Sequence, residues 1–193
     1  MDVTCTERIG KLSNLLTRAG YRMATAESCT GGMVGSLCTS VAGSSDWFSG
    51  GIIAYANQIK ANVLGVPAEV LEQCGAVSAE VVRHMAVGAL CVCGAQAAVA
   101  LSGVAGPGGG SPEKPVGTVW LAAAVAEQEG SCRIDLDAVR RLHLESLRAT
   151  LGGQSIVVVA TRHLFQGDRD TVRTQAAWQS LQELTALLEM QQG

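Results

Sequence analysis

The sequence has little charge of either sign. Charged residues make up 16% of its 193 positions, and the formal net charge is −3. A protein that binds nucleic acid or anionic lipid through its overall electrostatic field carries a strong basic excess. We therefore expect neither as a partner, and we expect any phosphate group to be bound at a local site.

Two kinds of targeting segment are also missing. Residues 1–8 have neither the basic start nor the apolar centre of a secretory signal peptide. No apolar run approaches the roughly 20 residues of a membrane span, although the mean hydropathy is positive. The simplest interpretation is a cytoplasmic protein that does not enter a membrane.

The seven cysteines lack the spacing of metal ligands. The pair Cys91 and Cys93 lies in a helical pattern, where residues two positions apart face different directions. We interpret the cysteines as buried, reduced thiols and expect no metal site. Cys29 is the only cysteine that we single out, because it lies next to a candidate catalytic residue.

The apolar pattern predicts a single α/β domain over residues 1–193. A chain with 48% hydrophobic residues at this length is long enough for one core and too short for two. The predicted strands are 21–26, 50–55, 97–102, 117–124 and 155–162, and the apolar run at 50–55 indicates a buried strand. His163 continues the last strand as a structural residue. The predicted helices are 9–19, 31–42, 58–64, 66–71, 79–93, 136–151 and a last helix that Asp168 caps.

One polar, glycine-flanked stretch lies between the first predicted strand and the second predicted helix. It reads Ala-Glu-Ser-Cys-Thr-Gly-Gly over residues 26–32, with Ser28 at the turn. Gly31 and Gly32 leave the main-chain N–H groups at the helix entrance open to a ligand. A serine beside such donors is a candidate nucleophile. A plain N-cap is the alternative, and this stretch alone does not decide between them.

Two further segments are predicted to lie at the same edge of the sheet. Tyr55 ends the second strand, Asn57 is a natural helix cap, and Lys60 lies about one turn into the next helix. Because strand-to-helix junctions collect at one edge of an open α/β sheet, Tyr55 and Lys60 are expected to point into the same cleft as Ser28.

A glycine-rich loop, residues 103–115, directly follows the apolar strand 97–102. Loops of this length in small domains are usually either functional or disordered. Its bare amides are able to form an anion-binding concavity, although it matches neither the dinucleotide fingerprint nor the nucleotide P-loop. A flexible hairpin connection remains the alternative.

Two arginines, Arg169 and Arg173, lie at the start of the last predicted helix, where the helix dipole disfavours cations. This position suggests an acidic neighbour or an anionic ligand, and a solvated charge pair is an equal alternative.

Several stretches together closely resemble the CinA C-terminal domain family, from about residue 5 to 190. They are AESCTGG (26–32), GGIIAYAN (50–57) with Lys60, GAVS (75–78), SGVAGPGGG (102–110), KPVGTVW (114–120) and GDR (167–169). That family contains the nicotinamide-nucleotide amidases. The resemblance implies a three-layer α/β/α sandwich without a metal or other cofactor.

The resemblance also implies an activity and a set of site residues. The activity is hydrolysis of nicotinamide mononucleotide to nicotinate mononucleotide and ammonia, with Ser28 as nucleophile assisted by Lys60 and Tyr55. Lysine acts as a base when burial lowers its pKa. The amides near Thr30 and Gly31 would hold the oxyanion. The residues expected to bind or orient the substrate are Glu27, Thr30, Gly31, Asn57, Ser102, Ala105, Gly106 and Arg169.

The sequence departs from the family pattern in one region. The segment 129–150 looks longer than usual, and an extra basic helix at about 129–152 would change assembly or cover the site. We also expect a stand-alone form without a nucleotide pyrophosphatase domain, and a homo-oligomer. The alternatives are an inactive nucleotide-binding or interaction module of the same fold, and an amide hydrolase with a different substrate.

Overall fold

A six-stranded mixed sheet with helices on both faces forms the core of the computed structural model, which describes residues 3–126, 145–151 and 154–192. The three-layer α/β/α arrangement predicted from the sequence is confirmed. The strands are β1 Met23–Glu27, β2 Phe48–Ile53, β3 Ala97–Gly103, β4 Thr118–Ala126, β5 Glu145–Leu151 and β6 Gln154–Leu164. The helices are α1 Val3–Ala19, α2 Met33–Thr39, α3 Asn57–Leu64, α4 Ala68–Cys74, α5 Ala79–Cys93 and α6 Arg169–Gln192.

Three loops lie together at the carboxyl-terminal ends of the parallel strands. The order is β2-β1-β3-β4-β6-β5, in which β1 is parallel to β2 and β3 while β4, β6 and β5 pair antiparallel. Parallel strands end at the same edge, so the turn after β1, the β2–α3 junction and the loop after β3 lie together there. This edge is therefore where a site built from those loops must form.

The two faces of the sheet differ in side-chain size. Branched side chains such as Val99, Leu101 and Leu121 face α1, α2 and α6. The opposite face, under α5, is rich in small residues: Ala24, Ala26, Ala98, Ala100, Ala122, Ala124 and Ala160 are all buried there. Small side chains let a helix lie close to a sheet, and the buried face of α5 fills that layer with larger residues such as Met85.

Three sequence predictions are wrong in detail. The strand at 50–55 was expected to be buried, but β2 lies at the edge of the sheet and Ile53 is 56% exposed. Asn57 is not a cap, because the N-cap is Ala56, which has no side-chain cap bond. The second helix is also shorter than 31–42 and begins at Met33.

The predicted helix at 136–151 is wrong over its last residues. Residues 145–151 form β5, which pairs with β6. Leu147 and Leu151 are four positions apart, a spacing that fits one face of a helix and one face of a strand equally well, so pairing with β6 decides the conformation. The remainder of the predicted extra segment, residues 127–144, lies outside the described residues.

The first helix begins at Val3, six residues before its predicted start, and the other predicted elements are confirmed within three residues. Ser78 caps α5 by accepting a hydrogen bond from the Val81 amide, and Asp168 caps α6 by accepting one from the Thr171 amide. His163 continues β6 and bonds Glu183 of α6 at 2.7 Å, which is a structural contact. Across the described ranges, every helix is too short or too polar to cross a membrane.

Two glycines in helices provide a matched test of this packing. A Cβ added at Gly88 of α5 would overlap the Leu64 carbonyl oxygen at the end of α3, whereas one added at Gly10 of α1 would meet no atom within 4 Å. We expect Gly88→Ala to destabilise the protein by about 1–3 kcal/mol through overpacking. Gly10→Ala should stabilise it by about 0.5–1 kcal/mol through helix propensity. Urea unfolding measures both, and equal effects of the two variants would contradict the α3–α5 packing.

Candidate active site

Ser28 and Lys60 lie side by side at the carboxyl-terminal ends of the parallel strands. Lys60 Nζ lies 3.2 Å from Ser28 Oγ, although the residues are 32 positions apart. Ser28 follows β1 directly, and its amide donates to the Leu101 carbonyl of β3, which anchors the turn. Lys60 lies one turn into α3 and is 1% exposed, while Ser28 is 8% exposed. The fold thus brings a lysine amine into hydrogen-bond contact with a serine hydroxyl, and both groups are shielded from bulk water.

Burial shifts the protonation equilibrium of Lys60 toward the uncharged amine. Burial lowers the pKa of Lys60, against an opposing effect of nearby Cys29. The amine donates to the carbonyls of Ala54 at 2.8 Å and Tyr55 at 3.0 Å. A neutral amine has two N–H groups and one lone pair, so two carbonyls occupy the N–H groups and the lone pair is left for Ser28. Ser28 is then able to donate its hydroxyl proton to Lys60.

Cys29 does not compete with Ser28 as a nucleophile. Its side chain is 7% exposed, and burial raises the pKa of the thiol to about 11. The thiolate is the reactive form of cysteine, and almost none is present near neutral pH at that pKa.

The carboxylate of Glu27 occupies the amides at the start of α2. It is buried and accepts hydrogen bonds from the amides of Gly32 at 2.9 Å, Val34 at 3.1 Å and Gly35 at 2.9 Å. The expectation that the glycines leave this helix entrance open to a ligand is therefore wrong at Gly32. Glu27 orients the turn by satisfying the helix N-terminus that would otherwise be unpaired.

Two amides of the serine turn, residues 28–32, remain available. The Gly31 amide donates to the Ser28 carbonyl at 3.2 Å, so Gly31 is not the free donor that we expected. The amides of Cys29 and Thr30 have no partner among the residues that the structure describes. The Thr30 side chain is fully buried, and its hydroxyl also lacks a described partner. The unpartnered amides next to Ser28 are thus those of Cys29 and Thr30, one residue earlier than the expected pair of Thr30 and Gly31.

The two arginines of α6 bind main-chain carbonyls around the site. Arg173 donates to the carbonyls of Cys29 at 3.2 Å and Thr30 at 3.0 Å, and it pairs with Asp170 at 3.0 Å. Arg169 donates to the Gly106 carbonyl at 2.7 Å. The contact of Arg173 with the serine turn was missed by sequence reasoning, although its place at the helix start had marked it as unusual.

Hydrogen bonds hold both ends of the glycine-rich loop. Val104 exchanges main-chain bonds with Thr118 and Gly117 at 2.8 Å each, and Lys114 Nζ donates to the Cys74 carbonyl at 3.0 Å. Ala105 is buried, while residues 107–112 are exposed. These bonds argue against the flexible-connection alternative.

The remaining expected site residues lie around this edge in different ways. The Ser102 hydroxyl donates to the Ala76 carbonyl at 2.7 Å and so ties residues 75–78 to β3. Tyr55 contributes its carbonyl to Lys60, and its side chain is 63% exposed. Asn57 is exposed on the first turn of α3. Within the described ranges, no group of three or more His, Cys, Asp or Glu side chains could hold a metal ion.

Fold and site together define a class, namely three-layer α/β/α proteins with a lysine-paired serine at the carboxyl ends of the central strands. The chain belongs to the CinA C-terminal domain family, whose sequence profile matches residues 6–151.

Relatives with assigned names cover most of the chain. The nicotinamide-nucleotide amidohydrolase PncC of Escherichia coli K12 is 44% identical, over 93% of this chain and 90% of that protein. The protein of the same name from Pseudomonas putida is 42% identical, over 92% of both. A CinA-like protein of Citrifermentans bemidjiense is 42% identical over 92% of this chain, which spans 36% of that longer protein.

Solved structures of the family share the fold. A CinA superfamily protein from Klebsiella pneumoniae matches with a TM-score of 0.76 and 31% identity, over 96% of this chain and 98% of that one. A competence/damage inducible protein from Agrobacterium tumefaciens matches with a TM-score of 0.73 and 33% identity.

The Glu27 contacts provide a test of how the serine turn is supported. In Glu27→Gln an NH₂ group replaces one carboxylate oxygen and faces main-chain N–H donors, so we expect a loss of about 1–3 kcal/mol in the free energy of unfolding. Glu113→Gln is the control, because Glu113 lies exposed in the glycine-rich loop and should unfold like the parent. Thermal and urea unfolding measure both, and parent-like stability of Glu27→Gln would show that these amide bonds contribute little.

Proposed function

We propose that this protein is an amidohydrolase that converts nicotinamide mononucleotide to nicotinate mononucleotide and ammonia. The observation that carries the proposal is the 3.2 Å contact between Ser28 Oγ and a buried Lys60 amine. The substrate follows from the relatives named nicotinamide-nucleotide amidohydrolase, which are 42–44% identical over nearly the whole chain.

Formation of an acyl-enzyme is the first half of the proposed reaction. Neutral Lys60 takes the proton of Ser28 as Oγ attacks the carboxamide carbon, because serine needs a base to become an effective nucleophile. The new C–O bond turns the carbonyl oxygen into an oxyanion, and the amides of Cys29 and Thr30 donate to it. The Lys60 ammonium then protonates the leaving nitrogen, the C–N bond breaks and ammonia departs.

Hydrolysis of the acyl-enzyme is the second half of the proposed reaction, with water as the nucleophile. Lys60, neutral again, takes a proton from water as the water oxygen attacks the ester carbon. The bond to Ser28 Oγ breaks, Oγ recovers its proton from Lys60, and the carboxylate product leaves. The same amine therefore acts first as base and acid during acylation and again during deacylation.

The nucleotide part of the substrate is proposed to lie along the glycine-rich loop, at Ser102, Ala105 and Gly106. Arg169 supports this position, because one N–H holds the Gly106 carbonyl while its other N–H groups have no partner in the described part of the chain. Those groups are available for a phosphate, which binds arginine through paired hydrogen bonds. Tyr55 and Asn57 are proposed to line the entrance, where both are exposed.

We further propose that the protein acts in the cytoplasm as a homo-oligomer. The cysteines that the structure describes as unpaired, Cys29, Cys38, Cys74, Cys91 and Cys93, fit a reducing compartment. Oligomer formation is supported by exposed apolar side chains beside the site, on β2, α3 and the junction between them, at Ile53, Tyr55, Ile59 and Val63.

Ammonia release from nicotinamide mononucleotide tests the activity and the serine–lysine pair. We expect Ser28→Ala and Lys60→Ala to lower kcat by roughly a thousandfold or more, since nucleophile and base act as a unit. Ser36→Ala is the control, because Ser36 is exposed on α2 and should keep the parent rate. Parent-like rates in the first two variants would disprove the pair.

The same assay separates the alternative functions. Substrate binding without turnover by the parent would favour the inactive module, and turnover of free nicotinamide instead would favour a different amide substrate.

The pH profile tests the protonation state of Lys60. Because burial lowers its pKa, the neutral amine that accepts the serine proton becomes populated at a lower pH than in an exposed lysine. We expect kcat/KM to rise with pH through this lowered pKa and to level off below the ordinary lysine range of about 10.4. A rise that appears only in the ordinary range, or a fall with increasing pH, would contradict Lys60 as the base.

A further inference from the structure

Arg173 contacts the serine turn from the side of α6. Its Nε donates to the Cys29 carbonyl at 3.2 Å and its Nη2 to the Thr30 carbonyl at 3.0 Å. Its Nη1 pairs with Asp170 at 3.0 Å, which holds the guanidinium in this orientation. A Cβ built on Gly31 would lie 3.7 Å from Nη2, so the guanidinium packs directly against the main chain of the turn.

The contact with the Cys29 carbonyl also sets the direction of an N–H group. In a planar trans peptide the C=O and N–H groups point in opposite directions. The Cys29 carbonyl and the Thr30 N–H belong to the same trans peptide unit, so the Thr30 N–H points away from Arg173. The Ser28 carbonyl is held by the Gly31 amide, and this orients the Cys29 N–H in the same way. Both unpartnered amides beside Ser28 therefore belong to peptide units whose carbonyl oxygens accept a hydrogen bond.

Charge adds to this alignment. A hydrogen bond from a cation to a carbonyl polarises the peptide unit, and a polarised unit is a stronger donor at its N–H end. Arg173 thus places a positive charge behind the Thr30 amide, on the side opposite to where the oxyanion develops. The effect is greatest in the transition state, where the substrate oxygen carries negative charge.

We infer that Arg173 is a positioning residue for the oxyanion site, which aligns and polarises the Thr30 amide through the main chain. The inference rests on the proposed function for its effect on rate. Arg173 itself is held at carbonyls and at Asp170 and acts on the substrate only through the turn. Its loss should therefore lower kcat and leave substrate binding nearly unchanged.

Arg22 provides a matched control. It also donates to two main-chain carbonyls, those of Asp46 at 3.2 Å and Phe48 at 3.1 Å. Arg22 precedes β1, so these bonds lie at the opposite end of the strand from Ser28. Arg22→Met removes the same kind of arginine clamp without touching the serine turn.

The rate test compares Arg173→Met with Arg22→Met on nicotinamide mononucleotide. Removing an oxyanion donor outright costs roughly a hundred- to a thousandfold in kcat. Because Arg173 acts through the donor, we expect kcat of Arg173→Met to fall by about ten- to a hundredfold at a KM within about twofold of the parent. Arg173→Lys keeps the positive charge but has a single ammonium group in place of the two nitrogens that bind the two carbonyls, so it should recover part of the rate. A rise in KM alone, or a fall in kcat equal to that of Arg22→Met, would overturn the inference.

A second readout does not depend on turnover. In amide NMR spectra of the protein, Arg173→Met should move the Thr30 proton resonance upfield, since a less polarised N–H is more shielded, while Arg22→Met leaves it in place. If Arg173→Met does not fold, Asp170→Asn keeps the guanidinium but loosens it and should move the same resonance in the same direction. An unmoved Thr30 resonance would overturn the inference even if the parent released no ammonia, an outcome that would refute the proposed function separately.

Discussion

The site depends on one costly interaction, the burial of the Lys60 amine against Ser28. A buried ammonium without a carboxylate partner is unfavourable, and none of the described acidic side chains pairs with Lys60. Main-chain carbonyls of Ala54 and Tyr55 stabilise the amine instead, at the junction of β2 and α3. The sheet makes this contact possible, because β1 and β2 are parallel neighbours and their carboxyl ends bring residues 28 and 60 together.

Two side chains of opposite charge hold the serine turn. The Glu27 carboxylate binds N–H groups at the start of α2, and the Arg173 guanidinium binds the carbonyls of Cys29 and Thr30. Each charged group pairs with the main-chain groups of opposite polarity, so these bonds leave the Ser28 hydroxyl to its contact with Lys60. Amides held in a fixed direction need no reorganisation when charge develops, which is the condition for effective oxyanion stabilisation.

Helix α6 links the two loops that the proposed substrate would contact. Arg169 holds the glycine-rich loop at Gly106, and Arg173, four residues on, holds the serine turn. The helix is itself fixed on the sheet by buried residues such as Val172 and Ala176, which pack in the same core cluster as β3 and β4. Parts of the chain more than 60 residues apart are thereby positioned relative to one another by one rigid element.

Local patterns in the sequence determined much of this molecule. The strand before Ser28, the helix that carries Lys60, the buried strand β3 and the caps at Ser78 and Asp168 each follow from residues within a few positions of one another. Only the tertiary structure decided that β2 is an edge strand, that residues 145–151 pair as β5, and which amides beside Ser28 stay free. These outcomes depend on neighbours far away in the chain, such as Arg173, 144 positions from the Cys29 carbonyl it binds. Periodicity reports which face of an element is apolar, but a hydrogen bond to a distant group exists only once the chain has folded.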